Sequence, residues 1–360
     1  MFLALRELQH YRFRSALIGG IVALIAFMVF MLTGLTRGLA QDSAALMINT
    51  PARHFVTTRD AAGVFNRSFL SPDDVERITA IGESAVTPLA QSFASFSGGT
   101  EATQLSGVLL GVDPSGFMAP KITSGQGLAA GVSGAVVDHS LQEDGVNEGD
   151  TLTLKPGGET LKVLGFTNAA RLNHQPVVFV TLDRWQALNP RTRGSVSAVA
   201  LKTDADVTSR IAELDGLSVL TRAQALQVLP GYKEEQGSLT MIQVFLVVVA
   251  AFVMAVFFYV LTLQKTPQFG LLKAIGASTR TLAGSLVAQM LFLTVIAVAV
   301  AALVTLGIVT LLPAGIPFAL TLPTLLSASA LLIVVAALSS LLSLRTVARV
   351  DPLIAIGTVT

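Results

Sequence analysis

Apolar and polar positions divide this chain into four long apolar runs and one long stretch of mixed pattern. The runs are approximately 16–36, 239–263, 283–312 and 325–344, and none of them contains Asp, Glu, Lys, Arg or His. A helix needs roughly 20 residues to cross a hydrocarbon layer of ~30 Å. Because uninterrupted runs can satisfy their backbone groups in lipid only as helices, the pattern predicts four transmembrane helices.

The mixed stretch, 37–238, carries the pattern of a folded domain. Short runs rich in β-branched residues, such as PVVFVTL and VSAVALK, predict strands separated by Gly, Pro and Asn or Asp turns. SPDDVERITAI, with Ser71 as its N-cap, and DVTSRIAEL predict helices. The stretch is long enough to bury its own core, which predicts an α+β domain.

Composition agrees with this division. The chain is 52% hydrophobic and 13% charged, whereas a soluble globular protein carries about 25% charged residues. Of its 23 acidic residues, 21 lie within 37–238. The net charge of +1 gives no reason to expect a nucleic-acid partner, and the absence of cysteine excludes disulfides and thiolate chemistry.

Basic residues predict the orientation. Short loops rich in Lys and Arg face the cytoplasm, and the loop 313–324 has neither residue. The ends and the loop predicted on the other side of the membrane carry Arg6, Arg12, Arg14, Lys265, Lys273, Arg280, Arg345 and Arg349. We therefore predict a multi-pass protein of the bacterial plasma membrane with both termini cytoplasmic. Its fold class is α-helical membrane protein with four transmembrane helices plus an α+β extracytoplasmic domain inserted between helices 1 and 2.

The first run has an alternative interpretation as a signal peptide, since small residues follow it at 38–40. Its apolar stretch is too long for that class of segment, and three further spans follow. A permanent first transmembrane helix is the better prediction.

Motifs of catalysis are missing from the chain. It has no G-x-x-x-x-G-K-[ST] phosphate loop, no H-E-x-x-H and no G-x-S-x-G, and its four histidines lack metal-ligand spacing. We therefore expect neither an enzyme nor a metal site. The predicted spans also lack the ionisable residues of ion-coupled carriers, so any driving energy must come from elsewhere. That leaves a partner protein, a passive scaffold or a signalling role.

Two segments resemble the FtsX/MacB-type ABC permeases. GAVVDHSLQEDGVNEGDTLTLKPGGETLKVLGF resembles the outer-domain pattern of that family, and KTPQFGLLKAIGAST resembles its cytoplasmic segment, with Gln268 where an acidic residue is common. The resemblance implies a homodimer of this chain in the lipid bilayer with two copies of a cytoplasmic ABC ATPase. ATP and Mg would bind that partner, and this chain would need no intrinsic cofactor.

A narrower resemblance, over residues 231–278 and NHQPVVFVTLDRWQAL, is to the HrtB-like haem-exporter permeases. It implies haem as the transported substrate. Exporters of lipids, peptides or antibiotics in the same family remain an alternative. An alternative of another class is a non-transporting transducer whose ATPase moves the outer domain to regulate an enzyme or sensor.

The cytoplasmic segment 264–282 has the pattern of a short amphipathic helix. Pro267 suits its start, and Gly276 with Ser278 suits its end. We predict that Phe269, Leu271, Leu272 and Ile275 form one apolar face. A coupling helix that docks on the ATPase is the favoured interpretation, and a helix that lies on the headgroups is the alternative. The predicted coupling residues are Gln268, Phe269, Leu271, Leu272, Lys273 and Ile275.

Haem would need axial ligands for its iron and cations for its propionates. The candidates near the outer leaflet are Tyr232, Glu234, Glu235, Met241, Met31 and Arg37. Polar residues are also common at any membrane interface, and Met in an apolar helix usually serves packing.

These predictions define nine segments. They are a cytoplasmic amphipathic helix 1–15, the first span 16–36, the extracytoplasmic domain with its stalk 37–238, the second span 239–263, the coupling helix 264–282, the third span 283–312, the outer loop 313–324, the fourth span 325–344 and a cytoplasmic tail 345–360. The stalk is expected to be interrupted near Pro230–Gly231.

Overall fold

The computed structural model divides the chain into two compact units, Leu39–Gln236 and the remainder, Met1–Gly38 with Gly237–Thr360. We refer to the first as the inserted domain and to the second as the membrane unit. The structure describes residues 12–82, 85–98, 103–168, 170–192, 194–203, 205–313 and 316–348. Most of the predicted N-terminal helix 1–15 and nearly all of the tail 345–360 lie outside these residues.

The described residues form nine α-helices and eleven strands. The helices are α1 Arg12–Asn49, α2 Pro72–Gly82, α3 Ser140–Glu143, α4 Leu182–Leu188, α5 Ala205–Ala212, α6 Arg222–Gln227, α7 Tyr232–Ala274, α8 Thr279–Val309 and α9 Leu322–Ala348. The strands are β1 His54–Thr58, β2 Val86–Gly98, β3 Thr103–Val112, β4 Ile122–Gly125, β5 Gly134–Asp138, β6 Thr151–Lys155, β7 Thr160–Thr167, β8 Arg171–Leu172, β9 Gln175–Thr181, β10 Ala198–Leu201 and β11 Leu217–Thr221.

Four helices of the described chain, α1, α7, α8 and α9, are long and apolar enough to cross a membrane, which confirms the predicted number. Small residues let the helices of the membrane unit approach closely, as is common in lipid. Ala26, Ala250 and Ala336 are at most 1% exposed, and the Phe30 and Phe258 rings are fully buried. The structure differs from the prediction at the end of α1, which continues past residue 36 to Asn49 with a non-helical residue at Ala44.

Two glycines of α1 accept the segment that precedes α9. A Cβ atom on Gly34 would lie 2.1 Å from the Phe318 ring, and one on Gly38 would lie 2.1 Å from the Pro317 carbonyl oxygen. The Ala319 amide donates to the Gly34 carbonyl over 3.0 Å. Residues 317–319 therefore pack against a glycine surface of α1, where a larger side chain would collide with them.

The segment predicted as a separate coupling helix is instead the last part of α7, and the prediction that Pro267 begins a helix is wrong. Proline removes one backbone donor, but opening the helix there would expose the buried Thr262, Phe269 and Gly270. The predicted end is confirmed. Gly276 has φ +101°, and Ser278 caps α8 by accepting from the Thr281 amide.

The inserted domain is built on one mixed sheet. Its strand order is β11-β1-β10-β2-β3-β9-β5-β7-β4, with β6 beside β2 and β7, and β8 beside β9. Most neighbours are antiparallel, whereas β3–β9 and β5–β7 are parallel. The mixed sheet with surface helices confirms the predicted α+β class.

Each face of this sheet carries its own core because side chains alternate along a strand. Val56 contributes to one core, with Ile78 of α2, Trp185 of α4 and Ile211 of α5. The neighbouring Phe55 contributes to the other core, which includes Met47, Phe179 and Ala225.

Two local predictions in this domain are confirmed. Ser71 accepts a hydrogen bond from the Asp74 amide at the start of α2, over 3.2 Å. The interruption near Pro230–Gly231 separates α6 from α7, and Gly231 has φ +79°.

Candidate functional site

The last turns of α7 carry an exposed face that is mostly apolar. At about 100° per residue, Gln268, Leu271, Leu272 and Ile275 point in similar directions. Leu271 is 63% exposed and Ile275 is 74% exposed. We call these four residues the junction face. Exposed leucine and isoleucine in the last helical turns before a sharp break can be covered by a partner or by lipid.

Phe269 does not belong to this face, so the predicted grouping is wrong. The ring is 6% exposed and packs in the membrane unit with Leu282 and Leu286 of α8. Lys273 lies nearer the Phe269 side of the helix than the junction face. The prediction grouped these residues by apolar character alone, although Phe269 and Leu271 lie about 160° apart around a helix.

A cavity of about 290 Å³ opens among α1, α7 and α9 in the membrane unit. We call it the membrane pocket. Its lining residues are Val29, Leu32, Thr33, Gln243, Leu246, Val247, Ser327, Ala328 and Leu331. Most of these side chains are apolar, which suits a hydrophobic ligand that enters from lipid.

The polar side chains of the membrane pocket have definite orientations. The Gln243 amide donates to the Thr36 hydroxyl over 3.1 Å, and that hydroxyl donates to the Leu32 carbonyl over 2.8 Å. One turn beyond Thr33, Arg37 donates to the Thr324 hydroxyl over 2.8 Å. Because a guanidinium carries five donors, this single bond leaves Arg37 able to bind a carboxylate as well.

The six candidate haem residues divide between the two units. Met31, Arg37 and Met241 belong to the membrane unit, whereas Tyr232, Glu234 and Glu235 belong to the inserted domain. Met241 is 76% exposed, and Met31 is half-buried. Neither methionine lines the membrane pocket.

Glu235 differs from its neighbour Glu234 because it has partners within the inserted domain. Its carboxylate accepts from the Ser43 hydroxyl over 2.8 Å and lies 3.3 Å from the Nε2 atom of His174. The Nδ1 atom of His174 lies 2.6 Å from Asp42, which also pairs with Arg171 over 2.6 Å. We call Asp42, Ser43, Arg171, His174 and Glu235 the turn cluster.

Sequence analysis missed the membrane pocket and the turn cluster. Gln243 offered a signal, since it is the only amide side chain in the second apolar run. The turn cluster offered none, because its members come from three segments, near residues 42, 172 and 235, that are more than 60 residues apart in sequence. Within the described part of the chain, no group of three or more His, Asp or Glu side chains could hold a metal ion.

Burial changes the proton affinity of one histidine of the inserted domain. Desolvation lowers the pKa of His54 below its ordinary value of 6.5, and the nearby Arg53 charge lowers it further. The Nδ1 atom of His54 is buried without a hydrogen-bond partner. His54 lies on β1, away from the turn cluster in sequence.

Comparison with protein families defines the class. Residues 15–217 match the MacB-like periplasmic core domain, and residues 240–352 match the FtsX-like permease C-terminal domain. The first match spans more than half of the chain, so this chain belongs to the FtsX/MacB-type ABC transporter permeases. Its inserted domain is accordingly extracytoplasmic, and its four long helices are those of a membrane permease.

Individual relatives align over almost the whole chain. A protein of Staphylococcus haemolyticus (strain JCSC1435), named as a hemin transport system permease protein HrtB, is 28% identical over 357 residues, with 99% of each chain covered. An uncharacterized ABC transporter permease of Mycobacterium bovis (strain ATCC BAA-935 / AF2122/97) is 26% identical over 361 residues, with 99% of each chain covered. The extracellular domain of the noncanonic ABC-type transporter YknZ from Gram-positive bacteria is 14% identical, covering 51% of this chain and 94% of that chain, with a TM-score of 0.35.

Proposed function

We propose that this chain is the permease subunit of an ABC exporter that removes haem from the membrane. The observation that carries the proposal is the full-length similarity to proteins named as hemin transport permeases. Haem is a flat amphiphile that partitions into a bilayer, so its permease needs an apolar lateral opening. The membrane pocket supplies a surface of that chemistry.

The size of the membrane pocket favours a site shared by two chains. Ligand pockets usually measure about 300–1,000 Å³, and about 290 Å³ lies at the bottom of that range. One chain would cover part of a porphyrin, and a twofold-related chain would cover the rest. We therefore infer a homodimer that binds one haem.

The proposed site residues have distinct tasks. Tyr232, Glu234, Met241 and Met31 remain candidates for an axial ligand, and Arg37 is the candidate for a propionate. Glu235 is a weaker candidate, because Ser43 and His174 already occupy its carboxylate. Axial ligands set the electronic state of the iron, whereas a propionate partner contributes a charge-assisted hydrogen bond.

Haemin titration of the detergent-solubilised chain tests the cargo. We expect a Soret band shifted from that of haemin in empty micelles, with half a haemin bound per chain. Tyr232→Phe, Glu234→Gln, Met241→Leu and Met31→Leu each test one ligand by the band position. Arg37→Ala should weaken binding and leave the band position unchanged.

Two substitutions on α9 test whether haemin binds in the membrane pocket. Ala328→Phe places a ring in the membrane pocket, where Ala328 is 7% exposed, and should weaken haemin binding by about tenfold or more. Ala330→Phe makes the same change at an exposed position of α9 and should bind normally. A spectrum identical to haemin in empty micelles, in every variant, would leave this chain an ABC permease for another cargo.

We also propose that the junction face docks on a cytoplasmic ATPase, present in two copies, with both termini of this chain cytoplasmic. Leu271→Asp would place a charge in the apolar contact and should abolish co-purification of the ATPase. Phe269→Leu, at the buried position beside it, should leave assembly intact. Assembly and ATP hydrolysis at normal rates in Leu271→Asp would contradict the docking proposal.

A further inference from the structure

The β8–β9 hairpin makes most contacts of the turn cluster, the exception being the hydrogen bond from the Ser43 hydroxyl to Glu235. Leu172 pairs with Gln175, so the turn itself consists of Asn173 and His174. Both have positive φ, 52° and 60°. A two-residue turn of this shape normally carries glycine at its second position. His174 therefore adopts a strained backbone conformation that holds its imidazole towards two helices.

The same turn contacts α1 at the point where that helix is broken. The Asn173 amide donates to the Ser43 carbonyl over 2.7 Å, and the next residue, Ala44, is non-helical with φ −151° and ψ 25°. In an unbroken helix the Ser43 carbonyl would accept from the amide of Met47. The carbonyl thus has two alternative donors, one from the hairpin and one from a straight helix.

Side chains of the turn cluster complete the connection to α7. The imidazole of His174 lies between Asp42 and Glu235, and the Ser43 hydroxyl contacts both His174 and Glu235 over 2.8 Å. Arg171 holds Asp42 and also donates to the Ser140 hydroxyl and the His174 carbonyl. One hairpin turn therefore joins the last part of α1 to the first turn of α7.

This joint differs from the apolar packing elsewhere in the inserted domain. Its charged side chains keep between 21% and 49% of their surface exposed, so water can replace their partners at little cost. A strained turn, an interrupted helix and a partly solvated polar contact are together typical of an element that can adopt two conformations.

We propose that the turn cluster is a conformational latch, closed in this structure, which opens when the transporter binds ATP. In the closed state the hairpin holds α1 broken at Ala44 and ties it to α7. In the open state α1 straightens through Ala44, and Glu235 separates from His174 and Ser43. The inference rests on the proposed ATPase coupling but is independent of the haem cargo.

Disulfide trapping can test the latch directly, because the chain has no native cysteine. The hydrogen bond from Asn173 to Ser43 places the two Cα atoms within about 7 Å, the range of a disulfide. The substitutions remove the Ser43 hydroxyl but keep the backbone hydrogen bond and the contacts of His174 with Asp42 and Glu235, so we expect Ser43→Cys with Asn173→Cys to cross-link rapidly in the purified chain. Failure to cross-link under oxidising conditions would overturn the closed arrangement and the proposal with it.

A second pair controls for general effects on the domain. Ser95 and Ser106 face each other on β2 and β3, inside the sheet, so Ser95→Cys with Ser106→Cys should cross-link equally in every state. With the co-purified ATPase held by a non-hydrolysable ATP analogue, the latch pair should cross-link at least about tenfold more slowly, a shift of about 1.4 kcal/mol or more if the rate follows the closed population. Equal rates with and without the analogue would overturn the latch.

His174→Gly separates the latch from a loss of folding. Glycine suits this turn position, so the domain should still fold while the imidazole is removed. In the resting chain, this variant should slow cross-linking of the latch pair and leave the control pair unchanged. Unchanged latch cross-linking in His174→Gly would show that the cluster does not hold the joint. This arm needs neither ATPase nor haem, so it distinguishes failure of the latch from failure of the proposed function.

Discussion

Several buried hydroxyls of the membrane unit are satisfied within their own helix, whereas a buried carboxylate of the inserted domain joins segments that are distant in sequence. In the membrane unit, the buried Thr262, Thr294 and Thr305 hydroxyls each donate to a carbonyl four residues earlier in the same helix. In the inserted domain, the buried Asp138 carboxylate accepts from the amides of Ser140 and Ala170, the second of which lies 32 residues away in sequence. Lipid favours polar groups that need only their own helix, whereas the aqueous domain uses them to join distant segments.

This contrast explains why different substitutions should damage the two regions. At Gly38 the membrane unit is sensitive to a change in backbone approach, and at Asp138 the inserted domain is sensitive to a lost polar connection. We make four predictions about stability, in order of decreasing expected loss.

Gly38→Ala should have the largest effect, because its Cβ would lie 2.1 Å from the backbone oxygen of Pro317. Main-chain atoms cannot rotate away, so we expect a loss of roughly 3 kcal/mol or more, measured as thermal stability in detergent. Gly20→Ala is the matched control on the same helix, since nothing lies within 4 Å of its Cβ position. Equal stability of the two variants would contradict the glycine contact.

Asp138→Ala should destabilise the inserted domain by about 2–4 kcal/mol. The substitution leaves two amides without their acceptor, and each buried unpaired group costs about 1–3 kcal/mol. Denaturant unfolding followed by Trp185 fluorescence is the measurement, since Trp185 is buried in the same domain. A loss below about 1 kcal/mol would show that water replaces the carboxylate.

Thr294→Val should cost less than about 1 kcal/mol in the membrane unit, although Thr294 is fully buried. The hydroxyl supplements a helix that is already hydrogen-bonded, and valine has nearly the same shape. Thermal unfolding in detergent measures the change. A loss as large as that of Asp138→Ala would remove the contrast between the regions.

The smallest effect should be the change in the stability of the inserted domain with pH that His54 causes. Its pKa in the folded domain lies below 6.5 because burial and Arg53 disfavour the charged ring. Below pH 6.5 the unfolded chain therefore binds a proton that the folded domain does not, and stability falls as the pH falls through that window. Above pH 6.5 both states are neutral and the contribution is constant.

The thermal stability of His54→Gln and of the parent, each at pH 7.5 and 5.5, measures this pH dependence. The variant should lose less stability on acidification than the parent. Identical pH dependence in His54→Gln and the parent would contradict the assignment.

Sequence analysis succeeded wherever one local signal decides the structure. Uncharged length defined the four membrane helices, Ser71 marked the start of α2, and Gly276 marked the end of α7. It failed at Phe269, because apolar character alone does not distinguish a side chain that packs against protein from one that is exposed, and the position of Phe269 about 160° from Leu271 was not used. It failed at Pro267, because packing of the surrounding residues outweighs one lost hydrogen bond.

The turn cluster was beyond any local signal. Asp42, Arg171, His174 and Glu235 are brought together by the sheet topology, which pairs β8 with β9 and places their turn against α1. The membrane pocket similarly depends on which sides of three helices face one another. Hydropathy identifies those helices but not their rotation.

Haem export by this chain can be measured directly after the permease and its ATPase are reconstituted in liposomes. The chain would be placed in liposomes loaded with haemin, together with its ATPase, and an apoprotein that captures haem would be added outside. We expect haemin to move to the acceptor only when ATP is present. This transfer should be lost in Ala328→Phe and retained in Ala330→Phe. Transfer at the same rate with and without ATP, in a complex that hydrolyses ATP normally, would contradict haem export by this chain.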